Sequence, residues 1–144
     1  MKVYFDTPLI VAGYIANHPH YAQSLRALDE VSAGAIKGVI SAHGLAESFS
    51  VLTRAPYVPP IRPHDAWLYL ANDVLPMFEV VSLMFTEYRE VVEKCSQNGW
   101  AGGRVYDALH IQAAKKSGCE RIYTFNLKHF HQVGPDIRDI IVSP

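Results

Sequence analysis

The chain has 144 residues, of which 49% are hydrophobic and 19% charged, and its formal net charge is −1. This composition excludes a disordered or fibrous protein, and the length fits a single domain over residues 1–144. The small net charge excludes a general attraction to nucleic acids, although a local basic rim can still bind phosphate groups. No apolar run reaches the roughly 20 residues that a membrane helix needs, and no export signal is recognisable, so we expect no membrane partner and a cytoplasmic location.

The cysteines and histidines do not predict a zinc site. Cys95 and Cys119 are far apart and lack C-x-x-C spacing, so we interpret both as small core residues. Two H-x-H pairs occur, at residues 18 and 20 and at residues 129 and 131. Neither pair has a third potential ligand at a spacing typical of zinc-binding motifs.

Short apolar segments alternate with segments of helical periodicity along the chain. In chain order the predicted elements are strand 2–5 (KVYF), helical turn 8–16, helix 18–34, strand 38–41 (GVIS), helix 41–54, helix 64–76, strand 78–83 (FEVVSL), helices 86–98 and 102–118, strand 121–125 (RIYTF) and a short edge strand 139–143 (DIIVS). Strands separated by helices, without hairpin signals, favour a parallel sheet between two helix layers, an α/β/α sandwich.

Polar residues follow two of the predicted strands. Asp6 ends the first strand, and Asn126 follows the fourth in YTFNLKHF. Ligands of parallel sheets bind at the carboxyl ends of strands, near the point where the strand order reverses. Asp6 and Asn126 are therefore candidate site residues, although Asp6 also suits a helix cap and Asn126 a turn.

Two further acids lie on predicted helices. Asp107 is near the start of its helix, where the helix dipole favours an anion, and this alone would explain it. Glu47 lies on the helix after the second strand, off the predicted apolar stripe of Leu45, Phe49 and Leu52, and taken singly it suits a solvated surface position. The joint placement of the acids favours a function.

A cluster of these acids would need a cation. Two carboxylates about 4 Å apart repel by about 4 kcal/mol at an effective dielectric constant near 20. Oxygen ligands prefer hard ions, which favours Mg²⁺ or Mn²⁺ over zinc. Such ions activate water and neutralise charge on a phosphodiester, so hydrolysis of phosphodiester bonds is the predicted reaction.

Several neighbours are candidates for supporting roles. Arg104 follows Gly102–Gly103 and precedes Asp107 by one helical turn, so it is a candidate phosphate contact, as is Lys128; both also suit solvated positions. Thr124 is grouped with them as a polar support or substrate contact, or it is an ordinary β-branched strand residue. His110 shares the helix face of Asp107, so it is a candidate to hydrogen-bond an acid or a phosphate, but we interpret it as a partly buried bystander.

The motifs FDT at residue 5, AES at residue 46, RVYDALHIQAA at residue 104 and IYTFNLKHF at residue 122 resemble those of PIN-domain ribonucleases, especially VapC-like toxins of type II toxin–antitoxin systems. The resemblance implies a PIN-like sandwich with about five parallel strands. It implies a hydrolase, an endoribonuclease that uses Mg²⁺ or Mn²⁺, with Asp6, Glu47 and Asp107 as metal-binding acids. It also implies a cognate antitoxin protein and a homodimer.

Two positions depart from the family pattern. The fourth acidic position falls on Asn126, whose amide oxygen can ligate a metal but brings no charge, and Pro8 stands where the family often has a small polar residue. These departures leave open a non-catalytic module that binds RNA or protein. An aspartyl phosphatase and a dinucleotide-binding protein are excluded, because no acid stands two residues after Asp6 and no G-x-G-x-x-G follows the first strand.

Six residues are candidates for a protein interface, with core packing as the alternative for each: Val11, Tyr14, Ile15, Trp67, Leu68 and Tyr69. The RNA target, the cleavage position and the number of metal ions have no signature in the sequence.

Overall fold

A computed structural model describes all residues, 1–144, as a five-stranded parallel sheet with helices on both faces. The strands are β1 (Lys2–Phe5), β2 (Lys37–Ser41), β3 (Phe78–Val81), β4 (Arg121–Tyr123) and β5 (Ile141–Val142). The helices are α1 (Thr7–Ala12), α2 (Tyr21–Ser32), α3 (Ala42–Arg54), α4 (Pro63–Tyr69), α5 (Phe85–Asn98), α6 (Arg104–Lys116) and α7 (Leu127–Val133). The predicted α/β sandwich is confirmed.

The spatial order of the strands is β3-β2-β1-β4-β5. The chain builds outward from β1 to β3 in one direction and then returns to the other side of β1 with β4. The strand order therefore reverses between β1 and β4, which is where parallel α/β sheets bind ligands.

Two hydrophobic clusters cover the sheet, one on each face. Val3 and Phe5 of β1 belong to the cluster that packs against α1, α2 and α4, whereas Tyr4 belongs to the cluster with α5, α6 and α7. Successive strand residues point to opposite faces, so a run such as Val-Tyr-Phe can be buried throughout. Cys95 and Cys119 are buried in the second cluster, as predicted.

Some predicted element bounds are wrong. The segment 64–76 is not one helix, because α4 ends at Tyr69 and a π-helical turn follows over Leu70–Val74. The helix α7 and the 3₁₀ turn Pro135–Ile140 were not predicted, and β5 has only two residues. No helix combines the length and apolar character that crossing a bilayer requires.

The buried face of α3 differs from the predicted stripe. Its buried residues are Gly44, Ser48 and Leu52, whereas Phe49 is 37% exposed. A Cβ atom at Gly44 would lie 3.2 Å from Ser41 Oγ and 3.4 Å from His110 Cε1, so α3 approaches α6 closely through small residues. This close approach brings Glu47, one turn after Gly44, next to His110.

Candidate active site

Asp6 lies at the point where the strand order reverses. Its backbone N–H donates to Tyr123 O of β4 at 3.1 Å. One side-chain oxygen, Oδ1, accepts from Thr7 N at 2.8 Å and caps α1, and the other, Oδ2, accepts from Thr124 Oγ1 at 2.8 Å. Asp6 thus both caps α1 and follows the carboxyl end of β1, so the two interpretations of this residue hold together.

The carboxyl group of Asp6 is almost completely buried, with 4% of the residue exposed. Burial raises the pKa of Asp6 to about 6, against the opposing effects of His110 and of the hydrogen bonds from Thr124 and Thr7. Burying a carboxylate costs stability when it ionises, so proteins keep such groups mainly where they have a function. A carboxylate with a perturbed pKa is therefore typical of a functional site.

Glu47 is held between two histidines. His43 Nε2 lies 3.0 Å from Glu47 Oε2, and His110 Nε2 lies 3.3 Å from Glu47 Oε1. Partial burial acts to raise the pKa of Glu47, but the hydrogen bonds from His110 and His43 outweigh it and hold the pKa well below its usual range. Glu47 is therefore an anion at neutral pH.

His110 connects the acids and is not a bystander. It is 1% exposed, and its Nε2 atom also lies 3.8 Å from Asp6 Oδ1. Burial acts to lower the pKa of His110, but the hydrogen bond to Glu47 and the charges of Asp6, Glu47 and Asp107 raise it overall. The expected partial exposure is wrong, because α3 packs directly over this part of α6.

Asp107 lies in the first turn of α6, three residues before His110. Burial raises the pKa of Asp107, while the nearby Arg104 and His110 oppose this rise. Arg104 Nε and Asp107 Oδ2 lie 3.0 Å apart, but they are not in hydrogen-bond geometry, and both atoms are buried without a hydrogen-bond partner. The side chains of Asp6 and Glu47 thus lie beside His110 Nε2, and the charge of Asp107 acts on the same histidine.

The other candidate residues take different positions. Thr124 is fully buried and uses its hydroxyl on Asp6, so it supports the acid and does not reach a substrate. Asn126 donates its N–H to Thr124 Oγ1 at 3.0 Å, and its side-chain nitrogen lies 2.6 Å from His129 Nδ1. Lys128 is exposed on α7, whereas Arg104 faces Asp107.

Sequence reasoning missed His43 and Tyr4. His43 precedes Glu47 by four residues on α3, and this spacing on one helix face was an available signal. Tyr4 Oη lies 2.6 Å from His110 Nδ1 across 106 residues of chain, and no local pattern indicates such a contact.

The residues present fit a divalent ion. Asp107 Oδ2 lies 3.0 Å from the Arg104 guanidinium but accepts no hydrogen bond, so this buried oxygen still has lone pairs for a ligand. Asp6, Glu47 and Asp107 offer carboxylate oxygens, the ligands that Mg²⁺ and Mn²⁺ prefer. The fold and the site thus define a parallel α/β protein with an acidic, metal-compatible site at its strand ends.

Comparison with known proteins identifies the family. The PIN domain family model matches residues 3–134, and the chain belongs to this family. Ribonuclease VapC40 of Mycobacterium tuberculosis, in strains CDC 1551 / Oshkosh and ATCC 25618 / H37Rv, is 32% identical over 116 residues, which are 80% of this chain and 80% of the relative. The predicted resemblance to PIN-domain, VapC-like proteins is confirmed.

A solved structure supports the fold. The crystal structure of VapC20 of Mycobacterium tuberculosis, a toxin that cleaves the sarcin–ricin loop, matches with a TM-score of 0.69. The match covers 88% of this chain and 92% of that chain, at 16% sequence identity.

Proposed function

We propose that this protein is a divalent-metal-dependent endoribonuclease that hydrolyses RNA phosphodiester bonds and acts as the toxin of a toxin–antitoxin pair. The observation that carries the proposal is that Asp6 and Glu47 lie 3.8 and 3.3 Å from His110 Nε2 at the switch point of the sheet, with Asp107 one helical turn before that histidine. Membership of the PIN family and the similarity to ribonuclease VapC40 support the same reaction.

The proposed roles divide the site residues into metal ligands, a supporting residue and phosphate contacts. Asp6, Glu47 and Asp107 are the proposed metal ligands, and Asn126 is a further polar ligand at the edge of the site. When bound there, a divalent ion supplies a more acidic water and neutralises charge on the scissile phosphate. Thr124 holds Asp6 in place through its hydroxyl. Arg104 and Lys128 are the proposed contacts to RNA phosphates.

Arg104 and Asp107 together form a natural place for a metal-bound phosphate. The Nε atom of Arg104 is a buried donor without a hydrogen-bond partner, and it lies beside an acid that also lacks one. The two atoms are ionic partners at 3.0 Å but neither makes a hydrogen bond, so Asp107 would still have lone pairs for a metal ion and Arg104 would still have a donor for a phosphate oxygen.

Mg²⁺ is the proposed ion, with Mn²⁺ as the second choice. The three carboxylates offer oxygen atoms only, and hard oxygen ligands suit both ions. Asn126 in place of an acid reduces the negative charge of the site by one, so we expect weaker binding of any second ion.

The proposal includes an antitoxin protein, a homodimer and a cytoplasmic location. Of the six interface candidates, Val11, Ile15 and Tyr69 are buried and belong to the core, whereas three are exposed: Tyr14 (38%), Trp67 (50%) and Leu68 (41%). A surface groove of 460 Å³ has Tyr14 in its wall. Exposed aromatic residues beside a groove are typical of protein interfaces.

The test is RNA cleavage by the purified chain, freed of any partner protein, with Mg²⁺ or Mn²⁺. Asp6→Asn and Asp107→Asn should each reduce the rate at least about 100-fold, since each removes a proposed ligand. Asp139→Asn, which changes an exposed acid outside the site, should retain the parent rate, so that the loss in the two site variants excludes both a contaminating nuclease and a general effect of removing an acid. If several RNAs remain intact with either ion, the enzyme proposal is wrong and the non-catalytic module takes its place.

A further inference from the structure

A second set of metal-ligating atoms lies beside the acids and contains two imidazoles. The ligand atoms of His43, Glu47 and His110 all lie within 4.8 Å of one another. We propose that these three side chains bind a borderline divalent transition-metal ion such as Zn²⁺, and that this ion inhibits the protein by taking Glu47 from the acidic site.

The donor types and distances suit such an ion. Two imidazole nitrogens and one carboxylate form a set that Zn²⁺ and neighbouring transition ions bind well, whereas Mg²⁺ prefers oxygen ligands. With metal–ligand bonds of about 2.0–2.1 Å, neighbouring ligands of a tetrahedral zinc lie about 3.3 Å apart. The two histidine nitrogens lie 3.0 and 3.3 Å from oxygens of Glu47. The His43 and Glu47 side chains are 23% and 28% exposed, so they have room to rotate around an ion.

The environment of His110 prepares its Nε2 atom as a ligand. Tyr4 donates its hydroxyl hydrogen to Ser41 Oγ at 2.9 Å, so its oxygen accepts the Nδ1–H of His110 at 2.6 Å. Nε2 then directs its lone pair at Glu47 Oε1 and Asp6 Oδ1, both of which are acceptors. Either a proton or a metal ion must occupy this position, and a histidine fixed through its other nitrogen is the usual arrangement in zinc sites.

The orientation and accessibility of His43 also suit binding. Its ring stacks on Tyr106 with an interplanar angle of 6° and a centroid distance of 5.3 Å. Its side chain is 23% exposed, so an ion has a path from solvent. Asp6 Oδ1, 3.8 Å from His110 Nε2, is placed to complete a fourth position or to hydrogen-bond a bound water.

Competition follows from the sharing of Glu47. Glu47 belongs both to the proposed oxygen ligands and to the histidine set, and one carboxylate on α3 cannot serve two separate ions fully. The inhibition rests on the proposed ribonuclease function, but the binding of the transition ion does not.

Binding is tested with the metal-free, untagged full chain by titrating Co²⁺, followed in its visible d–d absorption, and then displacing it with Zn²⁺. We expect one ion per chain, with imidazole ligation, in the parent. His43→Gln and Glu47→Gln should each weaken Zn²⁺ at least about tenfold and change the Co²⁺ spectrum. Tyr4→Phe keeps the volume at residue 4 but removes the acceptor for His110, and should weaken Zn²⁺ by about 10–100-fold.

Two control variants locate the ion. The double variant His18→Gln/His20→Gln removes an unrelated surface pair and should keep the parent affinity and spectrum. Asp107→Asn removes a proposed Mg²⁺ ligand outside the histidine set whose charge acts on His110, and should weaken Zn²⁺ binding less than His43→Gln does. Failure of the parent to bind Zn²⁺, an unchanged affinity in His43→Gln, or a loss of affinity in Asp107→Asn as large as that in His43→Gln would each overturn the proposal.

Inhibition is tested by adding Zn²⁺ to RNA cleavage in excess Mg²⁺, with each protein compared with its own zinc-free rate. The parent should be inhibited, and His43→Gln should need at least about tenfold more Zn²⁺ for the same effect. Equal sensitivity of the two proteins would overturn the competition. A parent that binds Co²⁺ as described but cleaves no RNA would instead contradict the proposed ribonuclease function.

Discussion

Replacing Thr124 by valine tests how the protein keeps Asp6 ionised. The Thr124 hydroxyl donates to Asp6 Oδ2 at 2.8 Å, and this bond opposes the rise in the pKa of Asp6 that burial causes. Valine has the same branched shape, so the exchange opens no cavity, but it removes both the donor to Asp6 and the acceptor of the Asn126 N–H.

The size of the effect follows from the hydrogen bond. A hydrogen bond to a charged group is worth about 1.5–3 kcal/mol, and one pKa unit corresponds to about 1.36 kcal/mol. Losing the bond should therefore raise the pKa of Asp6 further above its value of about 6. At pH 7 a smaller fraction of metal-free Asp6 is then ionised, and its ionisation is disfavoured by at most about 3 kcal/mol, the energy of the lost hydrogen bond.

The assay is the initial rate of RNA cleavage as a function of Mg²⁺ concentration at several pH values. A proton competes with a metal ion for a carboxylate, so at pH 7 the half-saturating Mg²⁺ concentration should rise about two- to tenfold in Thr124→Val. The difference should shrink as the pH is raised to 8.5, because Asp6 then loses its proton in both proteins.

Thr53→Val is the matched control, because it removes an exposed hydroxyl that bonds only to backbone carbonyls of α3. It should leave the Mg²⁺ requirement unchanged at every pH. An unchanged requirement in Thr124→Val at pH 7, or a raised requirement that does not shrink with pH, would refute the reasoning about Asp6.

Three further predictions concern stability and RNA binding. Burial raises the pKa of Asp6 above its value of 3.8 in the unfolded chain, so the resulting stabilisation is present below about pH 4 and is lost by about pH 6. The free energy of unfolding of metal-free Asp6→Asn, measured in urea at pH 8, should therefore exceed that of the parent by on the order of 1–3 kcal/mol. Asp139→Asn should show no such gain. Gly38→Ala should destabilise the fold by about 1–3 kcal/mol in the same assay, because its Cβ would lie 2.5 Å from Phe78 Cε1 on the adjacent strand; unchanged stability would contradict this. Lys128→Ala should raise the KM for RNA and reduce the slope of log KM against log salt concentration by about 0.7–1. An unchanged slope would contradict the proposed phosphate contact of Lys128.

Much of the architecture was predictable from local sequence patterns. Runs such as KVYF and GVIS are apolar enough to be covered on both faces, and the segments between them have helical periodicity. Parallel strands have their carboxyl ends at one edge of the sheet, so Asp6 and Asn126 were expected at that edge, and Thr124 Oγ1 links them by donating to Asp6 and accepting from Asn126 N. The strand-end position of Asp6 was therefore accessible before any coordinates.

Two wrong predictions, the buried face of α3 and the partial exposure of His110, have a common physical cause. The face of α3 was predicted from the positions of large apolar residues, but its buried face contains Gly44 and Ser48. Small residues carry little hydrophobic signal, yet they allow helices to approach closely, and that approach decided where Glu47 and His43 point. His110 was misjudged for the same reason, since its burial depends on α3 and not on its own helix.

The amino-acid sequence by itself determined the alternation of strands and helices, and it placed an acid after β1 and two more on helices, because periodicity and strand-end chemistry are local properties. Only the tertiary structure decided that Glu47 meets His110 across 63 residues of chain and that Tyr4 and Ser41 fix the second nitrogen of that imidazole. These contacts join separate elements, and their strength comes from burial, which no single segment of the chain has before the elements pack together.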